Sequence, residues 1–399
     1  MIETNFKHTD IGLVPHDWEI FTVANDCYVK ARIGWQGLTT AEYLSSGNFG
    51  LITSTDLIDG EVNWGTCHFV SEERYNQDTK IQVKKFDILV SKDGTIGKVG
   101  IVKHLPFPAT LNSGVFVIRS NNQKQSQIGL SLAFVSPYFK DFIKRLKAGS
   151  TIAHLYQKDL VNFTYPLPPS QEEQERIARA LSEMDELIAA MDEQIAKKRL
   201  VKKGAMQQLL SGRSRLPGFT DKWDNVKVND ICNRYDNLRI PVAAGLRKSG
   251  DVPYYGANGI QDYVEGYTHN GEYILVAEDG ANSLTDYPIQ YACGKIWVNN
   301  HAHVLQAKDN IAVNRFLIYA FKTIDFEANI VGSGRAKLNA DTLMKLELTI
   351  PVSIDEQRAI AGTLSAMDEE IQTLQEERDK YALIKQGMMQ QLLTGKIRI

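Results

Sequence analysis

Cysteine is scarce in this sequence: four residues in 399, at Cys27, Cys67, Cys232 and Cys293, with no CxxC pair. That spacing excludes a zinc-ribbon site and a disulfide scaffold, so the thiols are expected to be buried side chains. No run approaches the roughly 18 uninterrupted apolar residues of a membrane span. The opening MIETNFKHTDIGLVP lacks the basic-then-apolar pattern of a secretory leader. The expectation is a soluble, cytoplasmic protein without membrane contact. Charge of one sign is also missing: the net is −3. Residues 1–165 carry 17 basic and 16 acidic groups, and residues 217–348 carry 13 and 16. Any nucleic-acid face must therefore be a local cluster, not a basic coat.

Catalytic signatures are absent as well. Gly94-Thr95-Ile96-Gly97-Lys98 looks like a phosphate loop, but Val99 stands where GxxxxGK[ST] requires serine or threonine. Asp78-Thr79-Lys80 imitates a nuclease DxK without the proline–aspartate partner. His301-x-His303 has two imidazoles and no cysteine or carboxylate beside them in sequence, so no metal is expected. There is no HExxH, no GxGxxG, no nucleophile elbow and no asparagine/aspartate–proline–proline–aromatic methylase motif. The sequence carries no constellation for chemistry.

What it does carry is a duplication. Pro168–Leu216 aligns without a gap on Pro351–Ile399 at an offset of 183, with 24 identities in 49 positions. GAMQQLLSG at Gly204–Gly212 returns as GMMQQLLTG at Gly387–Gly395. A looser echo joins Trp18, Val23 and Cys27 to Trp223, Val228 and Cys232. Both copies predict a long helix. Each follows proline, opens with Ser170-x-x-Glu173 or Ser353-x-x-Glu356 read as a capping box, and ends at Gly212 or Gly395. Ile177, Leu181, Met184, Ile188, Met191 and Ile195 recur at a 3.5-residue period, as do Ile360, Leu364, Met367, Ile371 and Leu374. That period is a coiled-coil seam. Two equal helices in one chain pair most simply with each other, and the order of parts makes them antiparallel. The C-terminus is then expected beside Ile11–Trp18.

The division is 1–166 (first head), 167–213 (first long helix), 214–349 (second head) and 350–399 (second long helix). Both heads read as α+β. Strands are predicted at Phe86–Ser91, Val99–Val102 and Val115–Ile118, and at Tyr273–Ala277, Lys295–Val298 and His303–Gln306. Short helices are predicted near Ser136–Lys147 and Val313–Phe321.

IGLVPHDW near the start, PYYGANG at Pro253–Gly259, LVAEDGAN at Leu275–Asn282, VNNHAHVL at Val298–Leu305 and both MQQLL[ST]G helix ends resemble the specificity subunit of Type I restriction–modification systems. The resemblance spans the whole chain. It implies two pseudo-two-fold-related target-recognition domains of mixed β structure, separated by two long antiparallel helices. It also implies a non-catalytic subunit that binds double-stranded DNA, two methyltransferase subunits and two restriction subunits. In that family the cofactors S-adenosylmethionine, ATP and magnesium belong to the partners, and the helices set the spacer between two half-sites. Residues chosen for base or phosphate contact in the first head are Lys92, Thr95, Lys98, Lys147, Ser150, Thr151 and His154. In the second they are Tyr255, Asn258, Asn300, His301, Arg335, Lys337 and Asn339, with Asn258 and Asn300 suited to adenine edges and Arg335 to guanine. An enzyme with an unrecognised site and a purely structural adaptor are the competing classes.

Overall fold

The computed structural model describes residues 5–148, 154–329 and 337–399. Ser150, Thr151 and Arg335 lie outside the described residues. The chain divides into two compact units: Met1–Ala190 with Arg378–Ile399, and Met191–Glu377.

Each unit is built on a six-stranded mixed sheet. In the first unit the strands are β1 (Cys27–Ala31), β2 (Leu57–Ile58), β3 (Gly60–Val62), β4 (Ile88–Ser91), β5 (Val99–Ile101) and β6 (Val115–Ser120). Their spatial order is β1-β6-β4-β5-β3-β2. In the second unit they are β7 (Cys232–Arg234), β8 (Ser249–Gly256), β9 (Gly259–Val264), β10 (His269–Ala277), β11 (Ile289–Val298) and β12 (Ala302–Ala307), ordered β7-β12-β10-β11-β8-β9. The first four positions are the same in both orders, and the last two are exchanged: β3, the third strand in chain order, lies beside β5, whereas β8, the second, lies beside β11. In each sheet that pairing is the single parallel one. The central strands β4 and β10 are apolar runs, Ile88-Leu89-Val90 and Ile274-Leu275-Val276, fully buried between core layers. The strand expected at Phe86–Ser91 starts two residues later because Phe86 has φ +68°, a conformation no strand residue holds. The second-head strands run longer than expected, since the antiparallel β10–β11 pair extends from His269/Ile296 to Val276/Ile289.

A two-stranded ribbon closes each head. Glu19–Thr22 pairs with Thr164–Leu167, and Trp223–Lys227 pairs with Glu347–Pro351. The echo in sequence marks this closure: Val23 N–H binds the Phe163 carbonyl (3.0 Å) and Val228 N–H binds that of Leu346 (2.9 Å). The long helices follow at once, α1 (Gln171–Leu209) and α2 (Ile354–Leu392). Ser170 and Ser353 cap them, accepting the N–H groups of Glu173 (3.5 Å) and Glu356 (3.3 Å). The capping-box expectation fails at its second half, however. The Glu173 and Glu356 carboxylates are held by Arg398 and Arg215.

The helices are antiparallel in both units. In the first, Arg176 donates to the Ile399 carbonyl and Lys385 pairs with Asp185. In the second, Lys202 pairs with Asp368 and Lys198 with Glu370. Of the seam residues, Ile177, Leu181, Met191, Ile195, Ile360, Leu364 and Ile371 are buried. Met184, Ile188, Met367 and Leu374 are half-buried. The first two seam positions of each helix serve more than a helix pair. Ile177 and Leu181 join a core with Trp18, Phe134 and Leu167, while Ile360 and Leu364 join one with Phe316, Leu343 and Ile350.

The C-terminus docks beside the first head as expected. Arg398 pairs with Asp17 (2.9 Å) and lies over the Trp18 ring (5.9 Å). Its repeat partner Arg215 binds Glu356 and lies over Trp223 (5.7 Å). Both indole N–H groups are buried without an acceptor among the described residues. That costs about 1–3 kcal/mol in each unit, copied along with the clasp.

Gly395 and Gly212 end the helices at φ +68°, so any side chain costs about 1–2 kcal/mol in either. They differ in space. A Cβ at Gly395 would fall 2.3 Å from Pro15 Cγ, whereas one at Gly212 would meet Trp223 at an ordinary 3.5 Å. Gly395→Ala is therefore expected to lower the melting temperature clearly more than Gly212→Ala, measured by differential scanning calorimetry. Equal shifts would contradict the packing described.

Candidate nucleic-acid interface

The side chains most suited to meet a ligand gather where β4 and β10 end. In the first head the Lys92–Lys98 loop leaves β4, and the Asn112–Gly114 turn leads into β6. In the second, the Glu278-Asp279-Gly280 loop leaves β10 and the Asn299–His301 turn leads into β12. One hydrogen-bond frame builds both. Lys92 N–H binds the Gly114 carbonyl (2.9 Å), and Glu278 N–H binds that of His301 (2.8 Å). The Asn112 side chain accepts from Gly114 N–H (2.8 Å), and Asn299 accepts from His301 N–H (2.8 Å). Leu155 N–H returns to the Lys92 carbonyl and Leu338 N–H to that of Glu278. Isolated bridges then tie Asp93 to His154 and Asp279 to Lys337. The frame is shared; the side chains mounted on it are not.

On the first head, His154 Nδ1 faces the Asp93 carboxylate and its ring lies 4.7 Å from that of Tyr156, which is half exposed. Thr95 is exposed at the loop tip. Lys92 departs from its expected role. Its ammonium sits 5.3 Å over the Phe116 ring, and burial lowers its pKa. Its N–H is spent on the Gly114 carbonyl, so Lys92 does not present both an N–H and a cation to a phosphate. Thr95, Lys98 and Lys147 line one cleft of about 930 Å³, floored by Phe139, Ile143 and Leu181. Glu175, Glu183 and Glu186 share its walls, so the cleft has no uniform sign.

On the second head, Asn300 is exposed at the turn apex and Asn339 is exposed at the start of a short helix, Ala340–Lys345. Asn258 is committed internally: its amide donates to the Gly280 carbonyl (2.8 Å) and accepts from Asn282 N–H (2.9 Å). It clamps the β8–β9 hairpin tip to the β10 loop. Tyr255 is half-buried against an apolar core that includes Leu275 and Val304, and burial raises its pKa. Lys337 pairs with Glu278 (3.0 Å), and His301 Nδ1 faces Asp279.

Behind this rim lies a charged cluster. His303 Nε2 donates to the Leu338 carbonyl (2.8 Å) and Nδ1 faces Asp236 (2.7 Å). Arg239 binds Glu278 (2.7 Å) and the Ala302 carbonyl (2.9 Å). Burial raises the pKa of both carboxyls, but the His303 bond to Asp236, and the Arg239 and Lys337 bonds to Glu278, hold them below their ordinary range. The expectation that the histidine pair lacks carboxylates is thus corrected: Asp236, Glu278 and His303 bring donor atoms within 4.8 Å of one another. By composition this trio can hold a cation, yet arginine and lysine already neutralise it. It is a weld between the Asp236–Arg239 turn and two sheet strands.

Sequence reasoning missed Asn112, Asn299, Asp93, Asp279 and Arg239. A signal existed: Ile88–Gly94 (ILVSKDG) and Ile274–Gly280 (ILVAEDG) match at an offset of 186. It is out of register with the 183-residue offset of the helices, because the heads differ in loop length.

His269 is buried beside this weld, with Nε2 donating to the Tyr235 carbonyl (3.1 Å) and Thr268 Oγ1 2.7 Å from Nδ1. Burial lowers its pKa below 6.5, against the raising effects of the Tyr235 carbonyl and Asp236. A depressed folded value means stability present above the unfolded pKa and lost as pH falls below it. The protein is expected to lose stability from about pH 6.5 downward, and His269→Gln to flatten that slope in chemical denaturation. A variant with an unchanged slope would contradict this.

A family model described as Type I restriction modification DNA specificity domain matches residues 15–198 and 220–381, most of the chain and once per head. A Haemophilus influenzae chain named as a type I restriction enzyme specificity subunit is 44% identical over 152 residues, 38% of each protein. The type I restriction enzyme MjaVIII specificity subunit of Methanocaldococcus jannaschii is 24% identical over 453 aligned positions, covering 100% of this chain and 97% of that one. Among solved structures, a type I restriction–modification S subunit from M. genitalium superposes with a TM-score of 0.64 at 17% identity, covering 98% and 99% of the two chains. No helix among the described residues is long and apolar enough to cross a membrane.

Proposed function

The chain belongs to the Type I restriction modification DNA specificity family, and from that premise we propose that each head reads one half of a bipartite, asymmetric DNA target. The observation that carries this reading is the shared frame with unlike side chains. Lys92, Ser113 and His154 on the first head stand where Glu278, Asn300 and Lys337 stand on the second. Equivalent backbone with different donors and acceptors is what two different half-sites require, since sequence is read by hydrogen bonds to base edges. An exposed asparagine at an unencumbered turn apex suits an adenine edge, so Asn300 is the best single reader on the second head.

The chain acts as a non-catalytic specificity subunit. Methyl transfer and cleavage fall to two methyltransferase and two restriction subunits, which use S-adenosylmethionine, and ATP with magnesium. The long helices fix the spacing of the half-sites and supply docking faces for the methyltransferase subunits. A helix gains about 1.5 Å per residue, so an inserted heptad in each helix adds about three base pairs of reach.

The test is adenine-methylation mapping of a genome in cells expressing the chain with a cognate methyltransferase subunit. The expected result is a two-part motif that disappears when either chain is withheld. Replacing the first head with a relative's should change one part only. Methylation by the purified chain alone, or simultaneous change of both parts, would contradict the reading.

A further inference from the structure

The largest exposure of any large apolar side chain among the described residues belongs to Leu246, at 78%. It sits on the Ala244–Leu246 turn of a loop that runs from Arg234 to Lys248 and leaves Leu238, Ile240, Pro241, Ala243 and Ala244 exposed too. A loose apolar loop would fold back on the surface to escape water. This one is pinned outward. Ile240 N–H binds the Val298 carbonyl (3.1 Å) and the Trp297 indole donates to the Ile240 carbonyl (2.7 Å). Val242 N–H binds the hydroxyl of Tyr254, a residue 1% exposed (3.0 Å). Arg247 stacks on the same Tyr254 ring (4.1 Å), donates to the Val242 carbonyl (3.1 Å) and pairs with Asp262 (3.4 Å). The turn itself is closed by Leu246 N–H on the Ala243 carbonyl (2.9 Å).

The loop's charge and its root say what it meets. From Arg234 to Lys248 there are four cations and one carboxylate, in a chain whose net charge is −3; Arg239 and Arg247 are paired with Glu278 and Asp262. Lys248 is exposed beside the tip. The root is the Asp236–Arg239 turn, welded to Glu278 and to the Ala302 carbonyl directly behind the Asn299–His301 turn. An apolar tip flanked by cations and continuous with a base-reading rim fits duplex DNA better than a protein surface. Proteins that deform DNA insert such side chains, leucine among them, between base pairs. The cost of unstacking is best met by a tip that loses little freedom on binding.

We propose that Leu246 is a wedge: on binding, the loop enters the duplex at the half-site read by the second head, and Leu246 inserts at a base step while Lys248 contacts the neighbouring phosphate. This rests on the reading of the second head as a DNA reader and adds a specificity-determining residue to it. The selectivity it confers comes from the deformability of the step as well as from hydrogen bonds.

The test uses the full chain assembled with its methyltransferase subunits and target duplexes carrying 2-aminopurine at successive positions of that half-site. Wild type should give a fluorescence rise at one step. Leu246→Ser, whose side chain is solvent-exposed and so should leave the melting temperature unchanged, should abolish the rise and weaken binding about tenfold. Lys248→Gln should weaken binding and reduce its salt dependence by about one ion, with the rise intact at saturation. No rise at any position in the wild-type complex would overturn the proposal, whatever the affinity change. So would a Leu246→Ser chain with unchanged binding and fluorescence, or one that loses only its methyltransferase subunits. If Asn300→Ala still alters the second half of the methylated motif in those cases, the wedge alone is wrong. If replacing the whole second head leaves the motif untouched, the DNA reading is wrong.

Discussion

Two arginine–glutamate pairs, one in each unit and each with a buried carboxylate, clasp the long helices to one another. Arg398 reaches Glu173, and Arg215 reaches Glu356, each beneath a tryptophan at the start of a head. The carboxylates are 8% and 0% exposed, so neither tolerates loss of its partner. Breaking such a pair costs about 3–5 kcal/mol, mostly by stranding the remaining charge. Each clasp joins the end of one long helix to the first turn of the other. It thereby sets the antiparallel register that Lys385–Asp185 and Lys202–Asp368 continue along the helices. The glutamates sit at the N3 position, where a capping box would use them on their own backbone. Here a long-range partner outcompetes the local one, because a bidentate guanidinium gives stronger, charge-assisted bonds.

With the scaffold duplicated, function can diverge on its rim. The hydrogen bonds that shape the β4 and β10 loops are made largely by backbone groups and by Asn112 and Asn299. The outward side chains are therefore free to vary without loss of the fold. Behind them the heads differ as well: Lys92 is turned over a phenylalanine ring, whereas Glu278 is a carboxylate shared by Arg239 and Lys337. Rigid strands and a fixed turn geometry give precise placement, and differing donors and acceptors give different preferences.

Much of the fold was legible because duplication amplifies weak signals. Helical period, proline before, serine cap and glycine after appear twice at one offset, which no chance pattern does. The chain closure at Val23 and Val228 was marked by a spaced echo. The site was harder to read. Asn258 looked like an adenine reader, and its amide is instead consumed in fastening two loops, which only three-dimensional proximity to Gly280 and Asn282 decides. Lys92 stood among the residues expected to touch bases or phosphates, but burial against Phe116 redirects the ammonium. The charged weld around His303 was invisible because Asp236 and His303 lie 42 and 25 residues from Glu278 in sequence and meet it only in the fold. The apolar tip at Leu246 gave no pattern, since exposure is a property of the folded loop.

On the proposed reading, the equivalent turns of the two heads touch different halves of one DNA site. Photocrosslinking measures this directly. A benzophenone amino acid is placed at Ser113 in one sample and at Asn300 in another, in the full complex on its mapped target, and each crosslinked base is located by primer extension. One half-site should be labelled from position 113 and the other from position 300. Crosslinks from both positions to the same half, or to no preferred base, would contradict it.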